Sequence, residues 1–193
     1  MNKAREFWTT PAADPHINPT PEIARDEVLA ISKTPVIDFG CGFGRLAQYF
    51  WDFQYIGVDI ASHRIDEARR RNPYHRFEHI DSHFDLTKFD GAQTIIVDNV
   101  LHHVPDDEIE LMVESFAKTA PFVVQAEHIG TPRTGTLTSH CRPLDVYESI
   151  FGDFGFKIGK HTHVWNPRRK VNFSVILWEQ RTSAELSGRQ ITS

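Results

Sequence analysis

Val36-Ile37-Asp38-Phe39-Gly40-Cys41-Gly42-Phe43-Gly44, followed fifteen residues after Gly44 by Asp59, is the stretch from which the rest of the chain can be read. An apolar strand runs into three glycines at alternate positions, and a helix is expected to follow. A second strand, Tyr55-Ile56-Gly57-Val58-Asp59, ends on a carboxylate. At the carboxyl ends of a parallel sheet this suits a nucleoside-like ligand. Glycine lets backbone approach the ligand, a helix start aims N–H groups at it, and an acid grips ribose hydroxyls.

The glycine spacing narrows the ligand. A dinucleotide fingerprint, G-x-G-x-x-G, would need a third glycine at position 45, which is Arg45. The pattern here is D-x-G-x-G-x-G, with Asp38 ahead of the first glycine. A pyrophosphate would be repelled by Asp38, whereas a ligand with an ammonium group would be attracted.

The 193 residues suggest one domain with a sizeable core. A net charge of -5 argues against a general nucleic-acid binder. No apolar stretch is long enough for a membrane span, and Met1 to Asp14 has no signal-peptide core. Two cysteines, Cys41 and Cys141, make no disulfide framework, which fits a reducing cytoplasm.

Pro11, Pro15, Pro19 and Pro21 break up the first residues, so 1–21 is expected to be an arm, packed on the domain or closing over its ligand. Helical spacing is expected from Glu22 to Lys33, from Arg45 to Trp51, from Ser62 (as the cap) to Asn72, from about Asp106 and from Pro143 to Gly152. Strands are expected at Pro35 to Phe39, Tyr55 to Asp59, Phe77 to Ile80, Gln93 to Asp98 and Phe122 to Ala126. Two more, Phe156 to Val164 and Val171 to Glu179, are joined by Asn166-Pro167-Arg168-Arg169-Lys170. That link is too short for a parallel crossover, so they should form an antiparallel hairpin. The expected fold is α/β: a three-layer α-β-α sandwich around a mostly parallel seven-stranded sheet with a C-terminal antiparallel hairpin. Residues 22–180 would form the domain and 181–193 a loose polar tail.

The glycine pattern, Asp59, the hairpin, and the run Asp98-Asn99-Val100-Leu101-His102-His103-Val104-Pro105-Asp106 together resemble the class I (seven-stranded, Rossmann-like) S-adenosylmethionine-dependent methyltransferases. The resemblance spans about residues 22 to 180. It implies S-adenosyl-L-methionine as cofactor, a small-molecule acceptor, and methyl transfer to oxygen or nitrogen, less readily carbon, with S-adenosylhomocysteine released. Asp38 would attract the methionine ammonium, and Gly40, Cys41, Gly42 and Gly44 would pass beneath the methionine and ribose. Asp59 would chelate the ribose hydroxyls, Ile60 would pack on adenine, and Asp81-Ser82 would meet the adenine edge. Asp98 would lie beside the methionine end. A small residue is common at that position in the family.

His102 and His103 follow that strand end. An imidazole titrating near neutrality can take a proton from the attacking nucleophile. His102 is expected to face outward as that base, and His103 to be packed and hydrogen-bonded. The loop from His128 to Arg142 should rim the acceptor mouth, offering His128, Arg133, His140 and Arg142, with Glu127 nearby. His161 and His163 should share one strand face, without the spacing of a zinc site, so no metal is expected. Arg168-Arg169-Lys170 reads as a solvated basic turn. The acceptor's identity is not written in these motifs, and a homodimer is compatible with them. Three alternatives stand beside this reading: an NAD-dependent oxidoreductase, an aminopropyltransferase, and a non-catalytic S-adenosylmethionine-binding protein on the same scaffold.

Overall fold

The computed structural model describes residues 9–11, 20–81, 84–130, 140–166 and 171–187. Helix α1 (Glu22–Ile31) precedes β1 (Val36–Phe39), β2 (Tyr55–Asp59), α2 (Ser62–Arg71), β3 (Arg76–His79) and β4 (Thr94–Asp98). Then come α3 (Ile109–Thr119), β5 (Phe122–Glu127), α4 (Leu144–Asp153), β6 (Phe156–Asn166), β7 (Val171–Gln180) and the short α5 (Ser183–Ser187). The sheet order is β3-β2-β1-β4-β5-β7-β6. The first five strands are parallel to their neighbours, and β7 runs antiparallel to both β5 and β6. This is the expected seven-stranded sheet with a C-terminal hairpin.

Strands β1 and β4 are buried at every position, as a parallel sheet covered on both faces requires. Alternation along β1 divides the core. Ile37 and Phe39 join Ile95, Val97, Phe116, Phe151 and Trp178 on the α3–α4 side. Val36 joins Ala24, Val28, Ile65, Ala68, Ile96 and Val124 on the other. The two layers leave the carboxyl ends of β1, β2, β4 and β5 together at one edge, where the site residues lie.

The helix expected from Arg45 to Trp51 is not formed. Two 3-10 turns, Ala47–Tyr49 and Asp52–Gln54, with extended backbone at Phe50 and Trp51, take its place. Only ten residues, Arg45 to Gln54, return the chain from the end of β1 to the start of β2. An α-helix of ten residues would advance about 15 Å, and five strand residues need about 16 Å. Nothing would be left for the corners, so the chain uses the steeper rise of 3-10 turns and extended residues. Leu46 and Ala47 are buried, whereas Tyr49, Trp51 and Phe53 face out.

Two helix starts also differ. Ser62 is the first residue of α2 rather than its cap; Ala61 holds the cap position without a side-chain bond. Asp59 Oδ1 instead accepts the Ala61 N–H at 2.8 Å. Helix α3 starts at Ile109, after turns through 106–108, and Asp106 pairs with Arg142. The tail is not wholly loose: Lys157 pairs with Glu185, which also accepts the Thr182 N–H at 2.8 Å. Among the described residues, no helix is long and apolar enough to cross a membrane.

Candidate active site

Asp59 closes the glycine loop. Its Oδ2 accepts the Gly42 N–H at 2.9 Å while Oδ1 holds Ala61. One buried carboxylate therefore sets both the loop and the start of α2. Burial pushes the Asp59 carboxyl upward, against the pull of those two N–H groups and the Arg64 charge. Each oxygen has a second acceptor direction left for an outside donor.

Gly40 and Gly42 serve different ends. Both have positive φ, +73° and +55°. A Cβ at Gly40 would stand 2.5 Å from Val100 Cγ2, so that glycine is needed for packing. A Cβ at Gly42 would meet nothing within 4 Å, so open space lies above the loop there. A Cβ at Gly44 would collide with Phe77, and Cys41 is buried.

Asp38 lies under the loop, where Tyr55 donates its hydroxyl to Oδ2 at 2.6 Å. Burial pushes Asp38 up to about 7, with the nearby charges of Asp98 and Asp59 adding and Tyr55 and Arg45 opposing. Asp98 ends β4. Its Oδ1 accepts the Thr20 hydroxyl and, at 2.9 Å, the Asn99 Nδ2, and its Oδ2 lies 3.3 Å from Arg45 Nη2. Burial pushes Asp98 up too, with Arg45 the first opposing influence. Thr20 is thus a site residue that sequence reasoning missed, as no motif surrounds it. It brings the end of the N-terminal arm to the β4 edge.

Three buried carboxylates, Asp38, Asp59 and Asp98, therefore stand against two arginines, half-exposed Arg45 near Asp38 and Asp98 and buried Arg64 near Asp59. Such a set is short of positive charge and of donors. An ammonium and a vicinal diol would supply both, and the open space over Gly42 gives them room. The residues present fit S-adenosylmethionine.

Ile60 is half-buried beside the apolar core, and Asp81 is exposed just after β3. Ser82, the other adenine-edge candidate, lies outside the described residues, as do Arg133 and Arg168-Arg169-Lys170.

The two histidines lie side by side in one turn, both half-buried. His102, in the 3-10 turn Leu101–His103, is the anchored one. Its backbone N–H and its ring Nδ1 both reach Glu127 Oε2, at 3.0 and 2.9 Å. Its side chain is only 13% exposed. The ring of His103 lies 3.8 Å away, centroid to centroid. Glu127 is wholly buried, and its Oε1 accepts from Gln125 Nε2 at 2.7 Å and the Tyr147 hydroxyl at 2.8 Å. Gln125 in turn accepts from Trp178 Nε1 at 2.9 Å. Burial works against the Glu127 charge, but His102, Gln125 and Tyr147 outweigh it and hold the carboxyl below its ordinary range. A carboxylate receiving Nδ1–H leaves Nε2 as the basic nitrogen. Glu127 is the main residue underweighted by sequence reasoning; a glutamate ending a strand that is apolar but for Gln125 was the available signal.

Arg142 is not a rim cation. It is buried, and its guanidinium binds the carbonyls of Leu101, Val104 and His140 at 3.1, 2.6 and 3.0 Å, and Asp106 at 2.6 Å. It fastens the segment after β5 to the turn that carries His102. Arg142→Ala would strand three carbonyls and should cost about 2–4 kcal/mol of stability. A chemical-denaturation midpoint within error of the parent would contradict that role. His140 donates its backbone N–H to His102 O at 2.6 Å, and His128 Nδ1 donates to Asn172 O at 3.0 Å. His161 and His163 do share a face, with ring centroids 4.2 Å apart. Among the described residues, no group of three or more metal-ligating side chains forms.

The order of strands, the glycine loop over Asp59 and the turn after β4 decide the comparison. Residues 36–120 match a protein-family model described as a methyltransferase domain. The chain has the class I methyltransferase fold. Three solved structures illustrate the likeness. The magnesium protoporphyrin IX methyltransferase of Synechocystis PCC 6803, with bound S-adenosylhomocysteine, is 19% identical, with a TM-score of 0.71 over 92% of this chain and 98% of that one. The 1,6-didemethyltoxoflavin-N1-methyltransferase of Burkholderia thailandensis is 16% identical, with a TM-score of 0.70 over 92% and 87%. The mitomycin 7-O-methyltransferase is 14% identical, with a TM-score of 0.64 over 82% of this chain and 53% of that one. No curated protein sequence matches. At these identities the structural likeness speaks for the methyltransferase fold; two of the three are named for different acceptor atoms, N1 and 7-O.

Proposed function

We infer that the chain is an S-adenosylmethionine-dependent methyltransferase that methylates a hydroxyl oxygen of a small molecule. The observation that carries the choice of oxygen is the Glu127–His102 pair. A carboxylate acceptor is already ionised at neutral pH, and many amines are nucleophilic once unprotonated. A hydroxyl must lose its proton as it attacks, so an oriented imidazole is most useful there. His102 is the base, and Glu127 fixes its tautomer and stabilises the imidazolium that forms. The cofactor, when bound, supplies an activated methyl group whose transfer needs an in-line approach of the acceptor oxygen.

The remaining site residues hold the cofactor. Asp59 and Gly42 meet the ribose, Asp38 and Asp98 meet the ammonium, and Arg45 is the cation available to the carboxylate of the methionine tail. Ile60 and Asp81, with Ser82, belong to the adenine end. Residues 22–180 act as one domain, with Thr20 bringing the arm to the site, and the cytoplasm is the compartment. The acceptor test is direct. Protein with radiolabelled cofactor should methylate phenols or aliphatic alcohols from a chemically graded panel. Turnover confined to amines or carboxylates would overturn the assignment to oxygen.

Asp38 gives a pH prediction. Its folded value, about 7, lies above the ordinary carboxylate range. Its protonated form therefore stabilises the ligand-free protein fully below about pH 4, and that contribution is lost as pH rises through about 7. An ammonium beside Asp38 favours ionisation, so binding at pH 6 should release about one proton. Calorimetry in buffers of different ionisation heat measures this directly. Asp38→Asn should abolish the release, weaken binding roughly 10- to 100-fold, and melt no lower than the parent at pH 8. Undiminished affinity in Asp38→Asn would place the ammonium elsewhere.

A further inference from the structure

Glu127 is held more completely than a group that meets substrate would be. A carboxylate offers about four acceptor directions, and here they are filled. Oε2 receives the backbone N–H and the ring Nδ1–H of His102, and Oε1 receives Gln125 Nε2 and the Tyr147 hydroxyl. Gln125 is itself fixed by the Trp178 indole N–H at 2.9 Å, and that indole stacks on Phe151 with ring centroids 4.2 Å apart. With its directions taken, Glu127 has none for an acceptor or for a transferred proton. It acts through the ring it holds.

The Oε1 side therefore governs the Oε2 side. Each donor on Oε1 draws charge away from the oxygen that faces His102. Gln125 shares the strand of Glu127, whereas Tyr147 comes from α4, twenty positions further on, and is wholly buried. Burial and the Glu127 charge push its phenol far above the ordinary range, so the hydroxyl remains a donor at any working pH. Four other titratable or charged groups surround the pair. The His103 ring lies 3.8 Å from that of His102, and Asp98 repels Glu127 from the end of β4. His140 meets His102 O through its backbone N–H, and the Arg142 guanidinium stands 6.0 Å from the Tyr147 ring. A change confined to the Tyr147 hydroxyl leaves all four in place.

We propose that Tyr147 is a positioning residue: acting through Glu127 Oε1, it sets how tightly the His102 ring holds a proton. An unshared carboxylate would stabilise the imidazolium strongly and leave less neutral ring to accept the hydroxyl proton. Sharing its charge with Tyr147 keeps the ring neutral to lower pH, where it can serve as a base. The inference rests on the reading of His102 as the base and extends it to α4.

The test is the titration of the His102 ring itself, followed by NMR in the ligand-free protein from about pH 5 to 9. Its signal is assigned by its loss in His102→Ala. Tyr147→Phe keeps the aromatic ring and removes the donor. Glu127 then turns more of its charge toward His102, and the titration midpoint should rise by about 0.5–1 pH unit. Glu127→Gln removes the charge, and the midpoint should fall. Phe151→Leu loosens the packing of the same helix without touching the carboxylate, and should leave the midpoint where it is. A midpoint unmoved or lowered in Tyr147→Phe, or raised equally in Phe151→Leu, would overturn the proposal. Methyl transfer to an alcohol, which fails as His102 becomes protonated, should fail at correspondingly higher pH in Tyr147→Phe. A midpoint that rises while that profile stays in place would refute His102 as the base and leave the link from Tyr147 to its ring standing.

Discussion

His102→Ala is expected to lower kcat by about 10²–10⁴ while leaving S-adenosylhomocysteine affinity within about threefold of the parent. The loss should depend on the acceptor. With an unactivated hydroxyl the variant lacks the group that takes the proton. With a phenol acidic enough to be ionised at the assay pH there is no proton to take, and most of the defect should disappear. A purely structural role for His102 would penalise both acceptors alike. Glu127→Gln should show the same acceptor-dependent pattern with a smaller loss, since the amide can still meet the His102 backbone but not stabilise an imidazolium. Glu127→Ala is a poorer probe, because it strands the Tyr147 hydroxyl and the Gln125 amide in the core.

Asp59→Ala is expected to weaken S-adenosylhomocysteine binding by one to two orders of magnitude, about 1.5–3 kcal/mol. Two effects combine. The ribose loses a charged acceptor, and the loop loses the bond that holds the Gly42 N–H. The second effect should appear without ligand, as a stability loss of about 1–3 kcal/mol and faster hydrogen exchange at Gly42 and Ala61. Asp59→Asn separates the two, since its amide oxygen can still hold one loop N–H without the charge. It should melt closer to the parent than alanine does and bind almost as weakly. Parent-like affinity in both variants would mean that the ligand does not use this strand end.

Much of this architecture was legible in the sequence because it depends on local rules. Alternating glycines after an apolar run, an acid ending the next strand and a five-residue link between two C-terminal strands each permit few geometries. The helix after the glycine loop was misread for a geometric reason. Leu46, Ala47 and Phe50 carry helical spacing, but the span from Arg45 to Gln54 is too short to be bridged by a helix. The contact between His102 and Glu127 was hidden for another. Which of two adjacent histidines meets the carboxylate depends on where β5 places Glu127, twenty-five residues away. Arg142 and Thr20 show the same limit. An arginine in a polar loop reads as exposed, yet the Leu101 and Val104 carbonyls of the neighbouring turn draw it inside. A threonine between prolines carries no signal, yet it reaches Asp98 across seventy-eight positions.

The central claim is that the glycine loop, Asp38, Asp59 and Asp98 form a site for S-adenosylmethionine. It is tested most directly by calorimetric titration of the purified protein with S-adenosylhomocysteine, with NADH as the parallel ligand. The account predicts micromolar or tighter binding of S-adenosylhomocysteine and none of NADH. Binding of NADH alone, or of neither ligand, would contradict it.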